Sequence, residues 1–121
     1  MNITNGTVNR IELKGHVGQE PKVTAFGDTK VIKFTMATSE IYKDRAGAIV
    51  EETTWHSISA WDGKGMPPFS NIHKGTLVRV TGRLRNNRYT DRNTGEDRSF
   101  WDVLANSVVI EDDEKDEMVN Q

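Results

Sequence analysis

The chain has 121 residues, of which 28% are charged and 35% hydrophobic, with a formal net charge of −2. This length and composition indicate one globular domain and argue against an enzyme built from two lobes around a cleft. No apolar run approaches the roughly 20 residues of a membrane span, and the N-terminus lacks the basic and apolar segments of a secretory signal. We therefore expect a cytoplasmic protein with no membrane partner.

The charge is divided unevenly along the chain. Residues 111–121 carry six acidic side chains and one lysine, a net charge of −5, whereas the other 110 residues carry 15 basic and 12 acidic side chains, a net charge of +3. We expect residues 111–121 to form a solvated, flexible acidic tail behind a mildly basic domain made by residues 1–110. A tail of this kind can serve solubility alone.

The first predicted strand begins near Arg10. Ile11, Leu13 and Val17 alternate with polar residues, which is the period of a β-strand with one buried face. Gly15 interrupts this series at a place where a strand can bulge or bend sharply. The pattern predicts a strand that coils.

Two more strands are predicted before residue 62. A short segment at residues 22–24 leads to a turn at 26–29, and the alternation resumes over residues 32–38 as a second strand. Residues 39–52 are polar and rich in turn formers, which predicts a projecting loop. Residues 53–61 are rich in β formers and predict the third strand.

The second half of the chain predicts a short helix and two further strands. Residues 62–75 contain three glycines and the pair Pro67-Pro68, so a helix can begin only near Pro68 and last one or two turns before Gly75. The fourth strand spans residues 76–85, with a place to bend at Gly82, and the fifth spans residues 100–110. Residues 93–95 mark the tip of the hairpin between them.

These elements predict an all-β fold. A five-stranded Greek-key barrel of the OB (oligonucleotide- and oligosaccharide-binding) type, with a short helix between strands 3 and 4, removes the strand edges that an open sheet would expose. The periodicity by itself fits an SH3-like barrel or a small sandwich about as well.

Aromatic residues stand among arginines between residues 53 and 101. Flat π faces beside fixed positive charge can stack unpaired bases and neutralise their phosphates without reading their sequence. Trp55 and Trp61 share one face of the third strand, where a tryptophan can also belong to the core. Tyr42 and Tyr89 lie in polar segments that offer a ring little to pack against, so they are the stronger candidates from the residues alone.

Basic residues near these rings form a candidate phosphate track. Arg83 and Arg85 share a face by strand alternation, and each neutralised phosphate of a single strand contributes about −0.7 to the log–log salt slope of binding. Asp91, Glu96 and Asp97 are close enough in sequence to offset part of this charge. The candidate cations are Lys33, Lys43, Arg45, Lys74, Arg83, Arg85 and Arg88.

Five stretches of the sequence resemble the bacterial single-stranded DNA-binding protein family, in the order and close to the spacing of that family. The resemblance covers roughly residues 8–110 and implies an OB fold, single-stranded DNA as partner, no catalysis, association with the bacterial nucleoid and usually a homotetramer. The stretches are NRIELKGHVGQEP at residues 9–21, FTMATSE at 34–40, TWH at 54–56, KGTLVRVTGRL at 74–84 and YTD at 89–91.

The same resemblance assigns roles to four rings. In that family, aromatic residues after the second strand, in the third strand and on the hairpin between the fourth and fifth strands stack on bases. The corresponding positions here are Tyr42, Trp55, Trp61 and Tyr89. Tyrosine stands where an indole is common at the first and last of these, which reduces the stacking area.

The acidic tail departs from the family pattern. In the family, a flexible linker ends in an acidic stretch whose proline-and-aromatic tip recruits replication and repair enzymes, whereas residues 117–121 contain neither proline nor an aromatic ring. Replication or repair proteins are candidate partners, but residues 117–121 lack the tip that binds such proteins in the family. The tail acids can also compete with DNA for the arginines.

Nothing in the sequence predicts catalysis or a cofactor. The three histidines are widely spaced and cysteine is absent, which argues against a metal site. His56 either lies near a subunit contact, as the resemblance implies, or is a hydrogen-bonded surface residue. Ser57 and Ser59 lack the glycines of a nucleophile elbow. We expect Phe100 and Trp101 to fill the barrel and its flank, and contact of either ring with DNA is the alternative.

Three functional hypotheses follow. The leading one is a protein that coats single-stranded DNA and protects it during replication, recombination and repair. A primosome-type OB protein, usually dimeric, would use the same groove mainly to dock replication factors, and an OB or SH3-like adaptor would bind only protein. The number of subunits separates the first two, and quenching of tryptophan fluorescence by oligo(dT) separates both from the third.

Overall fold

The computed structural model describes residues 6–111. No helix in this range is long and apolar enough to cross a membrane. The predicted acidic tail lies outside the described residues except for Glu111. The elements are β1 (Ile11–Val17), β2 (Lys22–Phe26), β3 (Thr29–Lys43), β4 (Ile49–Trp61), a single 3₁₀ turn (Phe69–Asn71), β5 (Leu77–Thr90) and β6 (Asp97–Ile110).

Five of the strands close a barrel. Hydrogen-bonded neighbours follow the order β1-β5-β6-β4-β3, and β3 returns to β1 through the pairs His16–Ala37 and Val17–Met36. All these neighbours are antiparallel except β4 and β6, which pair in parallel over Ile58–Ala60 and Val103–Ala105. This arrangement confirms the predicted all-β, five-stranded OB barrel.

The core fills the inside of the barrel. Because successive side chains of a strand point to opposite faces, one alternate set from each strand is buried and the other faces outward. The 3₁₀ turn adds Phe69, and Ile72 follows it, to close one end. The buried residues in contact are Val17, Ile32, Phe34, Met36, Ile58, Ala60, Phe69, Ile72, Val78, Val80, Val103, Ala105 and Val108.

Two glycines allow strands to approach closely where the barrel closes. A Cβ atom at Gly15 would overlap the carbonyl oxygen of Ala37 on β3, and one at Gly82 would overlap that of Leu104 on β6. The register between β5 and β6 also slips between Thr81 and Gly82. The predicted bends at Gly15 and Gly82 are therefore positions where backbone meets backbone.

Several element boundaries differ from the sequence prediction. Residues 22–26 form a sixth strand, β2, beside the first half of β3, since a tight turn at Gly27, with φ of 59°, lets the chain fold back. The predicted loop at residues 39–52 is mostly paired strand, because β3 and β4 stay in register out to Lys43 and Ile49. The predicted helix is only the 3₁₀ turn, as Pro68 precedes it and extended backbone at Ile72 ends it.

Two ribbons consequently project beyond the barrel. The β3–β4 ribbon comprises residues 39–53 and turns at residues 44–48. The β5–β6 hairpin comprises residues 86–101 and turns at residues 91–96. Both are two-stranded extensions of barrel strands, and they carry much of the predicted site.

Candidate nucleic-acid interface

The outer face of the barrel is the surface of β3, β4, β6 and β5 that points away from the core. Strand pairing aligns its side chains in rungs, one of which runs from Lys33 through Ser59 and Leu104 to Arg83. Four neighbouring strands span three inter-strand spacings, roughly 14 Å along the sheet. Two of the predicted cations therefore stand at opposite ends of one rung.

Trp55 lies on the outer face and is the most exposed of the four predicted rings. It pairs with Ala37 across β3 and β4, and 62% of its surface is accessible. Its indole lies against Gly18, where a Cβ atom would overlap ring carbon Cζ3 and lie 3.0 Å from Cη2. The missing side chain at Gly18 thus lets the ring rest on the end of β1 with its other face open.

Trp61 ends β4 on the same face. Its ring centroid lies 5.7 Å from that of Phe26, with the planes tilted by 50°, and this contact fixes one side of the indole. A groove of about 450 Å³ runs beside it, lined also by Asn9, Arg10 and Arg83. The Asn9 side-chain amide holds the N-terminal segment there through two hydrogen bonds to the backbone of Leu84, 2.7 and 3.0 Å long.

Tyr89 lies on the β5–β6 hairpin, on the face continuous with the outer face. By alternation this face also carries Arg83, Arg85 and Asn87. The Tyr89 ring packs edge to face against Phe100, with centroids 6.0 Å apart and planes at 64°. Tyr89 is 49% exposed, so one side of the ring is held by Phe100 while much of its surface remains accessible.

Phe100 and Trp101 do not fill the barrel, so that expectation was wrong. They are 47% and 63% exposed, because the last rung over the core is Leu84–Val103 and both rings lie beyond it on the hairpin. Phe100 faces the same side as Tyr89, and Trp101 faces the reverse side. The sequence did contain a signal for this exposure. Asn86 and Asn87 pair with Trp101 and Phe100, at positions where a strand packed over a core would carry apolar residues.

The structure separates Tyr42 from Trp55. The register of β3 and β4 is continuous from Val31–Trp61 to Lys43–Ile49, so Tyr42 and its partner Val50 fall on the face of the ribbon opposite Trp55. Tyr42 is exposed there. A strand of nucleic acid would have to pass around the ribbon to meet both rings.

The predicted cations differ in what they contact. Within residues 6–111, no ion pair involves Lys33, Lys43, Arg45, Lys74, Arg83 or Arg88. Lys33 and Arg83 lie on the outer face, Lys43 and Arg45 at the tip of the β3–β4 ribbon, and Arg88 on the reverse side of the hairpin, paired with Ser99. The backbone N–H of Lys74 donates to Glu20 Oε1 at 3.0 Å. The cations thus surround the outer face instead of forming one line.

Arg85 has an internal partner. Its Nε donates to Asp102 Oδ1 at 3.1 Å and its Nη2 to Asp102 Oδ2 at 3.2 Å. Asn87 Nδ2 and Ser59 Oγ also donate to this carboxylate, each at 2.9 Å, so Asp102 joins β4, β5 and β6. We name these four residues the Asp102 cluster.

Asp102 is an ionised carboxylate at the floor of the outer face. It is only 4% exposed, and burial by itself would raise its pKa. The hydrogen bonds from Arg85, Asn87 and Ser59, together with the charge of Arg85, outweigh burial and hold the pKa of Asp102 below its ordinary value. The cluster adds no net charge, since the aspartate neutralises the arginine.

His56 belongs to the opposite face of β4. Its Nε2 lies 2.9 Å from Thr38 Oγ1, and burial lowers the pKa of the imidazole. This contact joins β3 and β4 at the base of the ribbon. Among residues 6–111, no three histidine, cysteine or acidic side chains are grouped closely enough to hold a metal ion.

Glu111 follows β6 and is held against β5. Its N–H donates to the carbonyl of Leu77 at 2.8 Å, and its Oε1 lies 3.0 Å from Arg79 Nε. These contacts hold the first residue of the predicted tail beside the barrel. The other tail acids fall outside the described part of the chain.

Comparison with known proteins adds independent information. The model of the single-strand binding protein family matches residues 8–110. Similar sequences include a single-stranded DNA-binding protein of Chlorobaculum tepidum, 34% identical over 84% of this chain, and one of Neisseria meningitidis, 31% identical over the same share. The alignments span 63% and 59% of those two relatives. A mitochondrial single-stranded DNA-binding protein of Xenopus laevis is 29% identical over 96% of this chain and 85% of its own length.

Solved structures show the same fold. A Plasmodium falciparum protein in a complex with single-stranded DNA superposes with a TM-score of 0.73 at 24% identity, over 93% of this chain and all of that one. A deletion mutant of the Thermus aquaticus single-stranded DNA-binding protein gives the same TM-score at 21% identity, over 88% of this chain and 51% of that one. Because the family model matches most of the sequence and the fold agrees, the chain belongs to the single-strand binding protein family.

Proposed function

We propose that this protein binds single-stranded DNA without sequence specificity, by stacking bases on exposed rings and neutralising phosphates with lysine and arginine. The observation that carries the proposal is the outer face itself. Trp55 and Trp61 are both exposed at outward-facing positions of β4, and between them a rung begins at Lys33 and ends at Arg83, two cations without ion pairs among the described residues. Tyr89 extends this surface along the hairpin.

The chemistry of the surface explains why binding would be tolerant of sequence. Every base has a π face, so a ring stacks on any of the four, and phosphates are the same at every position. A single strand has its bases free to stack, whereas a duplex keeps them inside. The proposal therefore predicts affinity for unpaired strands of any composition and weak binding to duplex DNA.

Arg85 contributes differently from the other candidates. Because its guanidinium is bound to Asp102, it serves the site by positioning β5 and β6. Lys33, Lys74 and Arg83 supply charge near the barrel. Lys43, Arg45 and Tyr42 on the β3–β4 ribbon, and Arg88 on the reverse of the hairpin, contact the strand where it leaves the outer face.

The biological role follows from this binding mode. A protein that holds any unpaired strand protects it during replication, recombination and repair, and we propose assembly of this chain as a homotetramer in the cytoplasm, on the bacterial nucleoid. Light scattering gives the number of subunits directly. Four subunits support this form of the proposal, and two favour a primosome-type protein.

The test is a titration of tryptophan fluorescence with oligo(dT), with a mixed-sequence oligonucleotide and with duplex DNA, at several salt concentrations. We expect quenching by both single strands and little by the duplex. Trp55→Ala should weaken binding about 5- to 150-fold, the range for loss of one stacked base, and Trp55→Phe, which keeps a ring, should restore most of it. If oligo(dT) causes no quenching and its anisotropy does not change, the proposal is wrong and a protein-binding role takes its place.

A further inference from the structure

A groove opens on the outer face between β4 and β6, beside Ser57, which is the next outward-facing residue of β4 after Trp55. These two strands pair only over Ile58–Ala60 and Val103–Ala105. Towards its N-terminal end, β6 leaves β4 and continues with β5 alone, so the two strands part and leave a space of about 350 Å³. The groove is lined by Gln19, Glu20, Lys33, Phe34, Thr35, Ser57, Ile58, Ser59, Phe100 and Asp102. We call it the Phe100 groove.

Phe100 forms an apolar wall of this groove. Its backbone is fixed by pairing with Asn87, and one side of its ring packs against Tyr89 at 6.0 Å between centroids. Beyond this contact, 47% of the Phe100 surface remains accessible. The exposed part of the ring therefore offers a flat apolar surface with no occupant among the described residues.

Polar groups around the ring suit a nucleotide. Lys33 is a cation without an ion pair in residues 6–111, and the hydroxyl groups of Thr35 and Ser57 make no hydrogen bond there. The Asp102 carboxylate does not repel a phosphate strongly, because Arg85 balances its charge and four hydrogen bonds occupy its oxygens. The groove thus presents a π face, two hydroxyl groups and the positive charge of Lys33. The Glu20 carboxylate, which also lines it, accepts a hydrogen bond from the backbone N–H of Lys74, and its Oε2 lies 3.5 Å from His73 Nδ1.

We infer that Phe100 is an additional base-stacking residue, and that the Phe100 groove seats one nucleotide with its base on Phe100 and its phosphate at Lys33. This inference rests on the proposed function and extends it to a position that the sequence analysis favoured as part of the barrel. Tyr89 and Phe100 then act as neighbouring platforms, with Tyr89 on the hairpin and Phe100 at its junction with the barrel.

The hairpin provides a matched control. Phe100 and Trp101 are adjacent, similarly exposed, and lie on opposite faces of the same two-stranded element. The anisotropy of a labelled oligo(dT) reports binding without depending on protein tryptophan. We expect Phe100→Ala to weaken binding between about 5- and 150-fold with an unchanged salt slope, and Trp101→Ala to change it less than about twofold.

A second substitution separates stacking from support. Phe100→Leu keeps an apolar side chain against Tyr89 but removes the π face, so it should weaken binding nearly as much as Phe100→Ala. In a double-mutant cycle, Lys33→Ala should cost less in the Phe100→Ala background than alone, because both residues hold the same nucleotide.

Fluorine NMR tests the contact without removing the ring. The chain has four phenylalanines, so labelling with 4-fluorophenylalanine gives four signals, and the Phe100→Leu variant identifies the one from Phe100. We expect oligo(dT) to shift this signal by the ring current of the stacked base, and to leave the signal of the buried Phe69 unchanged.

The outcomes distinguish this inference from the proposed function. Normal affinity of Phe100→Leu together with an unmoved Phe100 signal overturns the inference, while the proposed function stands if Trp55→Ala still weakens binding. Loss of affinity in Trp101→Ala equal to that in Phe100→Ala also overturns it, because the two faces would then be equivalent. If the unmodified protein fails to bind oligo(dT), both proposals fall.

Discussion

The two ribbons that project from the barrel are built alike and braced differently. The β5–β6 hairpin is fixed at its tip, where Arg98 Nε lies 3.1 Å from Asp91 Oδ2 and Thr90 donates to Asp97 at 3.0 Å, and at its base by the Asp102 cluster. The described part of the β3–β4 ribbon has no ion pair between its strands, and its exposed tip includes Ile41 and Ile49.

This difference matters for binding because ordering a side chain or loop costs free energy. A ring that is already held loses less conformational entropy when a base stacks on it, so more of the contact energy appears as affinity. Tyr89 is held by the ring of Phe100, whereas no ring contact holds Tyr42 among the described residues. The β3–β4 ribbon is itself paired along its length and its turn is closed by Asp44, so the two tyrosines differ in the support of the ring and not in the order of the backbone.

The largest expected effect concerns the base of the hairpin. Asp102→Asn removes the charge that holds Arg85 and should lower the free energy of unfolding by about 2 kcal/mol at pH 7, the scale of hydrogen bonds to a charged group after allowing for the partial exposure of Arg85. Urea unfolding at several pH values measures this. Asp97→Asn, at the exposed tip, should cost less than about 0.5 kcal/mol.

The difference in free energy of unfolding between the unmodified protein and Asp102→Asn changes with pH in a defined direction. Because the pKa of Asp102 is lowered in the folded protein, the unfolded chain takes up the proton more readily. The stabilisation is therefore present above the ordinary aspartate pKa of about 3.9 and is lost as the pH falls through the folded value. The free energies of unfolding of the unmodified protein and of Asp102→Asn should therefore converge as the pH falls below the folded pKa of Asp102. A difference that stays constant with pH would contradict the role given to Asp102.

The next effect compares the two tyrosines directly. Tyr89→Ala should weaken oligo(dT) binding about tenfold or more, and Tyr42→Ala about threefold, because only the first ring is held in place before DNA arrives. Anisotropy titrations of both variants give the ratio, with Tyr→Phe at each position as the control that keeps the ring. Equal losses at the two positions would show that bracing does not decide affinity.

The smallest effect distinguishes two arginines on the same face of β5. Arg83→Ala should reduce the magnitude of the log–log salt slope by about 0.7, since a free cation is lost. Arg85→Ala should leave the slope nearly unchanged and lower stability instead, and Asp102→Asn should steepen the slope by freeing Arg85. Dissociation constants over a series of NaCl concentrations measure all three. A slope lowered equally by both arginine variants would mean that Arg85 meets phosphate despite Asp102.

Much of the fold could be predicted from local patterns. The alternation of Ile32, Phe34 and Met36 identified a strand with one buried face, and all three residues are in the core. Gly15 and Gly82 lie where a Cβ atom would overlap a neighbouring backbone, and the register of β5 and β6 slips at Gly82. The length of the ribbons could not be predicted in this way, because residues 39–52 have no buried face and their pairing follows from the register of the strands that precede them.

The candidate site was predicted unevenly. Trp55, Trp61 and Tyr89 were chosen for their chemistry, and the structure places all three exposed on one continuous surface. Phe100 was expected to fill the barrel or its flank, with DNA contact as the alternative. Its exposure depends on where β4 stops covering β6, which the residues around Phe100 itself do not record.

Short-range patterns in the sequence were thus enough to predict an all-β chain, its aromatic and basic candidates and the alternation that turns them outward, since these depend on residues one or two positions apart. Only the tertiary structure decided that Arg85 is bound by Asp102, that Tyr42 and Trp55 face opposite ways, and that Phe100 borders a groove. The physical reason is separation along the chain: the bond from Ser59 to Asp102 joins residues 43 positions apart, and such contacts exist only once the parallel pairing of β4 and β6 has formed.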